Sequence, residues 1–299
     1  MTTLAELRRG GKPALARALA AVEAGGAAAL LDAALQDPRG IALGLTGPPG
    51  VGKSTLTGAL IPRLRARGLS VAVIAVDPSS RRSGGALLGD RTRIRHDPED
   101  AGVFIRSMAA RDQLGGVAEA TYPALVLMRA THDVVIVETV GVGQSETEIA
   151  DLADRVVLLA EPGAGDALQF MKAGIVETPD LVLVTKADRG PAARATAAEM
   201  RRALALSARG AVPVAEVSAA TGAGLEALDP LLAPDPALAG RRLVQAEAWM
   251  RARIRADFGR FGLAAAGPRL VARPGAVFSG LASVARSLQT LLADWSARG

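Results

Sequence analysis

Seven short apolar runs constrain the fold of this 299-residue chain more than any other feature. Most of them are bounded by turn residues and separated by segments of helix length. They read IALGLTG (41–47), SVAVIAVD (70–77), GVFIRSM (102–108), DVVIVET (133–139), RVVLLAE (155–161), DLVLVTK (180–186) and VPVAEVS (212–218). Near-continuous hydrophobic strands that alternate with helices are typical of a parallel sheet covered on both faces. The pattern therefore predicts an α/β fold over residues 39–232, with a mostly parallel central sheet flanked by helices.

The two ends of the chain carry a different pattern. Residues 1–38 are rich in Ala and Leu at helical spacing and predict an N-terminal helical extension. After a Pro-rich stretch, residues 233–299 predict a C-terminal helical segment. Within it, amphipathic helices are predicted over 241–262 and 278–296, and their apolar stripes are typical of helices that pack on a core.

Composition argues against several classes of protein. The chain has no cysteine and two histidines, which argues against disulfides, thiol catalysis and a Cys/His metal centre. Its net charge is +5, but the basic residues are spread along the chain and aromatics make up 3%, so we expect no nucleic-acid partner. No apolar run approaches the ~18 residues that span a bilayer. We expect a cytoplasmic protein without a membrane partner.

The segment 47–54, GPPGVGKS, matches the phosphate-binding motif GxxxxGK[ST] in full. It follows a predicted strand and opens a predicted helix, so its backbone N–H groups and the positive helix end can face phosphate oxygens. Lys53 is one of four lysines among 31 arginines, which indicates that its compact ammonium is required there. We expect Lys53 at the β- and γ-phosphates, Ser54 on Mg²⁺ and Thr55 at the α-phosphate. The predicted loop residues are Gly47, Pro48, Pro49, Gly50, Val51, Gly52, Lys53, Ser54 and Thr55.

Acidic and glycine residues near other strand ends extend the predicted phosphate site. Glu138 ends a strand and can hold Mg²⁺ through water, while Gly141 can offer its N–H to the γ-phosphate. Asp77 and Asp90 bracket a Gly/Ser segment that could close over the metal as a switch. Gln144 lies in a second switch candidate and could position water. The candidate catalytic residues are Lys53, Asp90 and Gln144.

A third motif concerns the base. Thr185-Lys186-Ala187-Asp188 resembles the guanine-reading [NT]KxD element, in which the lysine stem packs over the base. The carboxylate accepts from guanine N1–H and N2–H, a donor pair that adenine lacks, so Asp188 would determine specificity. Ser218, Ala219 and Ala220 end the last strand, where GTPases place a backbone contact to guanine O6. The sequence therefore predicts GTP and GDP, with Mg²⁺, rather than ATP.

Taken together, five motifs resemble the MeaB/ArgK group of GTPases. They are GPPGVGKST, AVDPSS…SGGALLGDRTR, ETVGVGQSE, TKAD and VSAATGAGLEAL. The resemblance covers roughly residues 1–299 and is strongest over 40–230. It implies a GTP-hydrolysing chaperone that gates cofactor loading of an adenosylcobalamin-dependent methylmalonyl-CoA mutase and protects that enzyme. It also implies slow intrinsic hydrolysis stimulated by the partner, and a homodimer formed through the C-terminal arm.

The resemblance also implies particular site residues. It places four oxygen-bearing side chains around Mg²⁺, namely Ser54, Asp77, Asp90 and Glu138. Thr185 stands where many members of the group carry Asn, whose amide braces the phosphate loop, so weaker bracing is expected here.

Three other functions remain open at this stage. A metal-insertion GTPase would need Cys/His ligands, of which the chain has very few. A P-loop small-molecule kinase would transfer the γ-phosphate to an organic acceptor instead of water. A targeting GTPase of the signal-recognition type would need a Met-rich domain, and six scattered methionines do not form one.

Overall fold

A computed structural model describes residues 2–78, 94, 96–110, 118–139, 149–165, 178–205 and 212–296. The chain divides into two compact units. The first, here called the helical unit, comprises Met1–Arg39, Asp112–Thr131 and Asp235–Gly299. The second, the sheet unit, comprises Gly40–Arg111 and His132–Pro234.

In the sheet unit, the described residues form seven parallel strands, one for each apolar run, so the predicted α/β architecture is confirmed. The strands are β1 (Ile41–Thr46), β2 (Val71–Pro78), β3 (Val103–Ala110), β4 (Val134–Glu138), β5 (Arg155–Ala160), β6 (Leu181–Val184) and β7 (Val214–Glu216). Their order across the sheet is β3-β2-β4-β1-β5-β6-β7. In a parallel sheet all carboxyl ends lie at one edge, so the chain leaves β1, β4, β5, β6 and β7 at that edge.

Helices are found in both units. The described α-helices are α1 (Leu4–Arg9), α2 (Gly11–Glu23), α3 (Ala28–Gln36), α4 (Lys53–Ala66), α5 (Ala118–Thr131), α6 (Pro191–Ala205), α7 (Ala237–Ala266) and α8 (Val277–Ser296). Of these, α4 and α6 belong to the sheet unit. Every residue of β1 and β4 is buried, as expected for strands covered on both faces. On one side Leu56, Leu60 and Leu64 of α4 join the core that the strands form.

In the helical unit, residues from both ends of the chain form one core. The Asp32 carboxylate accepts hydrogen bonds from the backbone N–H groups of Phe278 (2.8 Å) and Ser279 (3.1 Å), so α3 caps the start of α8. The Trp249 ring stacks on Tyr122 of α5 at 5.5 Å and contacts Phe278 at 5.0 Å. Trp249 is therefore buried in this core.

Helix α7 is interrupted at Gly259, whose φ of 64° and ψ of −159° are not helical. Only glycine adopts such a conformation readily. Two helical stretches therefore stand where the sequence predicted one over 241–262.

No single described helix is both long and apolar enough to cross a membrane. Only α2 and α3 taken together have the length and apolar composition of a membrane span, and a 119° bend separates the two. The leucines of these two helices, among them Leu15, Leu19 and Leu31, are buried in the protein.

Candidate nucleotide site

The phosphate loop connects β1 to α4 and has the backbone that its glycines predict. Gly47, Gly50 and Gly52 have φ angles of 143°, 79° and 106°, in the region that side chains rarely adopt. A Cβ atom on Gly47 would lie 2.5 Å from the carbonyl oxygen of Leu159, so the loop also packs too closely on β5 for a side chain there. Helix α4 begins at Lys53, which leaves its first N–H groups facing the loop.

The Lys53 side chain lies inside this loop. Its Nζ donates to the carbonyl oxygens of Gly47 at 2.6 Å and Pro48 at 3.1 Å. An ammonium held in the loop by two backbone carbonyl oxygens provides the positive charge that phosphate oxygens require. The structure thus brings together the loop and the lysine that the sequence singled out.

Ser54 and Glu138, which are 84 residues apart in the chain, meet at the start of α4. The Ser54 hydroxyl donates to Glu138 Oε2 at 2.9 Å, and the Glu138 side chain is buried at the end of β4. Glu138 aligns with Leu45 of β1 and Ala75 of β2, which places it beside the strand that leads into the phosphate loop. Hydroxyl and carboxylate oxygens are the ligands that Mg²⁺ prefers, so these two residues fit a magnesium ion.

The structure describes little of the other residues that were predicted to bind the metal or to take part in hydrolysis. The backbone of Asp77 belongs to β2, opposite Ala109. The Asp77 side chain and the whole of Asp90, Gly141 and Gln144 lie outside the described residues. Within the described ranges, no group of three or more His, Cys, Asp or Glu residues could hold a metal ion.

Thr185 connects the predicted guanine motif to the phosphate loop. Its hydroxyl lies 2.8 Å from the Val51 carbonyl oxygen and 3.3 Å from that of Ala160, and both Thr185 and Val51 are buried. The expectation of weaker bracing rested on the lost amide. The structure shows that the threonine hydroxyl forms a brace of its own.

Lys186 follows in a left-handed backbone conformation, with φ of 54° and ψ of 37°. Its Nζ donates to the Gly50 carbonyl oxygen at 3.1 Å and forms an ion pair with Glu161, the residue after β5. The sequence motif identified Lys186 but not Glu161. An acidic residue at the end of the neighbouring apolar run was the only available signal.

Asp188 is oriented by Ser218 from the end of β7. The Ser218 hydroxyl donates to Asp188 Oδ1 at 2.5 Å, and this hydrogen bond is the main reason why the pKa of Asp188 lies below its usual value. The backbone N–H of Thr221 lies 3.3 Å from Ser218 Oγ and fixes that hydroxyl in turn. Ser218 was predicted for a backbone contact. The structure assigns its side chain to the carboxylate, while Ala219 and Ala220 occupy the following turn.

A seven-stranded parallel sheet with this loop between its central strand and a helix defines a P-loop nucleotide-binding protein. The family described as "Methylmalonyl Co-A mutase-associated GTPase MeaB" matches residues 15–233, and the chain belongs to this family. The resemblance found in the sequence motifs is therefore confirmed.

Individual relatives agree with this assignment. A "Putative GTPase" of Caulobacter vibrioides is 43% identical over 226 residues, which are 71% of this chain and 69% of that protein. The "Methylmalonic aciduria type A homolog, mitochondrial" of Mus musculus is 40% identical over 222 residues, 70% of this chain and 54% of that protein. A crystal structure of "LAO/AO transport system kinase" superposes with a TM-score of 0.64 and 28% identity, covering 96% of both chains. The chain spans about half the length of other curated relatives, 47% and 51% in two cases.

Proposed function

We propose that this chain binds GTP and GDP with Mg²⁺ at the carboxyl edge of its sheet and hydrolyses GTP slowly. The observation that carries this proposal is the pair of hydrogen bonds from Thr185 to Val51 and from Lys186 to Gly50. These bonds fix the position of the base-reading element relative to the phosphate loop. The Asp188 carboxylate in the base-reading element suits guanine, since it can accept from both N1–H and N2–H, and adenine has no such donor pair.

The phosphate half of the site supports triphosphate binding. The loop N–H groups and the α4 N-terminus would face the β-phosphate, and Lys53 would place its positive charge at the β- and γ-oxygens. Ser54 and Glu138 would hold Mg²⁺, which supplies further positive charge to the departing diphosphate. Asp77 and Asp90 complete the proposed metal set. Lys53, Asp90 and Gln144 are the proposed catalytic residues, and Gly141 is the proposed γ-phosphate contact.

We further propose that the client is an adenosylcobalamin-dependent methylmalonyl-CoA mutase. The family description and the name of the mouse relative support this part. In this proposal the nucleotide state gates cofactor loading and protects the mutase, so hydrolysis alone is slow and the partner stimulates it. The chain would act as a homodimer, which light scattering of the full chain would test.

A small-molecule kinase is the second candidate, because the superposed structure carries a kinase name. The two functions differ in the fate of the γ-phosphate. A kinase moves it to an organic acceptor, whereas a GTPase releases it as inorganic phosphate. The Asp188 carboxylate, which the Ser218 hydroxyl orients, suits guanine, and a guanine site favours the GTPase.

The test is phosphate release from GTP by the purified chain, alone and with the mutase from the same cell. We expect a slow basal rate, well below the ~10 per second of ordinary enzymes, that rises with the mutase. ATP should support neither rate, and Asp188→Asn should abolish the stimulated rate with GTP. An unchanged rate with the mutase would refute the client assignment. Transfer of label to an organic acceptor would instead establish the kinase.

A further inference from the structure

Glu161 is a charged residue of the site that no sequence motif includes. It directly follows β5, and the Thr185 N–H donates to the carbonyl oxygen of Ala160 at 3.0 Å. Glu161 and Lys186 are therefore the next residues along two neighbouring strands. Glu161 Oε1 is in hydrogen-bond contact with Lys186 Nζ and lies 3.7 Å from Arg189 Nη1.

This contact fixes a side chain that is otherwise flexible. The lysine side chain has about four rotatable bonds and loses considerable rotamer freedom when it is held in one position. The Lys186 ammonium is held from two sides, by the Gly50 carbonyl oxygen of the phosphate loop and by the Glu161 carboxylate. The two side chains of the ion pair are 26% and 29% exposed, so water screens their attraction less than it does on an open surface.

The backbone conformation of Lys186 also indicates that this residue is held in one position. A left-handed conformation is unfavourable for a residue other than glycine, and it persists where the surroundings hold it. Here the neighbouring Ala187 N–H donates to the Val217 carbonyl oxygen at 3.0 Å. Backbone and ammonium are thus both fixed, which leaves the aliphatic stem with a set direction between them.

We propose that Glu161 is a positioning residue for guanine binding, acting through Lys186. It holds the lysine stem in the direction in which the stem packs over the base, so the nucleotide does not have to order that side chain on binding. Arg189 Nη1, which lies 3.7 Å from the same Oε1, adds a second positive charge beside the carboxylate. This inference rests on the proposed guanine site and adds to it a residue outside the [NT]KxD motif.

The first test is the affinity of the purified chain for GDP and GTP after Glu161→Gln. We expect both affinities to fall by about fivefold, and by the same factor, because the base is common to the two nucleotides. The matched control is Asp229→Asn. Asp229 forms ion pairs with Arg63 at 2.5 Å and Arg67 at 2.6 Å at comparable exposure, and its loss should leave both affinities unchanged.

The second test separates positioning from a general structural role. In a Lys186→Met background, adding Glu161→Gln should change GDP affinity less than about twofold, because the group through which Glu161 acts is gone. A full Glu161→Gln effect in that background would overturn the inference, as would wild-type affinity or tighter binding in the single variant. If the wild-type chain binds GDP, an outcome that overturns the inference does not contradict the proposed GTP site. If the wild-type chain binds no guanine nucleotide, the proposed function fails and the inference with it.

Discussion

Thr185→Val tests the link between the base-reading element and the phosphate loop with the smallest chemical change. The substitution exchanges one hydroxyl for a methyl group. Two carbonyl oxygens lie near that hydroxyl, but they are affected differently. The Ala160 oxygen keeps the hydrogen bond from the Thr185 backbone N–H at 3.0 Å. The Val51 oxygen loses the 2.8 Å bond from the hydroxyl, inside a loop residue that is 0% exposed.

The size of the effect follows from that difference. A buried carbonyl that loses its donor costs about 1–3 kcal/mol. Burying the new methyl group returns up to ~0.8 kcal/mol. After that gain is subtracted, the net loss of unfolding free energy is about 0.2–2.2 kcal/mol. In a domain of this size each 1 kcal/mol shifts the melting temperature by about 2–4 °C, so we expect a decrease of roughly 0.5–9 °C.

Nucleotide binding should weaken together with stability. Because one of the two hydrogen bonds that tie the loop to the guanine motif is lost while that of Lys186 to Gly50 remains, we expect GDP affinity to fall by about three- to tenfold. Thr185→Asn should retain most of the affinity, since its amide N–H can donate to the same carbonyl oxygen. Thermal melting and fluorescent GDP titration measure the two effects separately.

Thr57→Val is the matched control for this experiment. Thr57 is 0% exposed, and its hydroxyl finds no hydrogen-bond partner among the described residues. Replacing it with valine should leave the melting temperature unchanged or raise it. If Thr185→Val melts and binds GDP as the wild type does, the hydroxyl does not brace the loop and the argument is refuted.

Three further predictions concern the same site. Asp188→Asn should weaken GDP binding by about 100-fold and improve binding of xanthosine diphosphate, whose O2 carbonyl accepts from the new amide; competition titration measures both. The lowered pKa of Asp188 keeps its carboxylate ionised until the pH falls through that value. Ser218→Ala should raise that pKa toward the ordinary one, which a carboxyl NMR titration detects. Glu138→Gln should weaken Mg²⁺ binding to the GDP complex by about 10- to 100-fold, and unchanged Mg²⁺ dependence would exclude Glu138 from the metal site.

The sequence was sufficient for the sheet because the relevant signal is local. Each of the seven strands coincides with one apolar run, since a strand buried on both faces must be apolar at nearly every position. The phosphate loop was equally readable, because its glycines are required by backbone angles that side chains disfavour. In both cases the signal lies within a few consecutive residues.

Contacts between distant residues were not readable in this way. Nothing near Ser218 indicates that its hydroxyl would turn to Asp188, 30 residues earlier in the chain. The environment of Trp249 is a second case. An aromatic on an amphipathic helix fits a subunit interface and an internal core equally well, and its stacking on Tyr122 decides between them. Glu161 became visible only when the register of β5 and β6 placed it beside Lys186.

Equilibrium binding of GDP and ADP to the purified chain, with Mg²⁺ present, tests the central claim most directly. The account predicts that GDP binds at least about 100-fold more tightly than ADP, because Asp188 accepts two hydrogen bonds that only guanine offers. Equal affinity for the two nucleotides, or tighter binding of ADP, would contradict the assignment of this site to guanine.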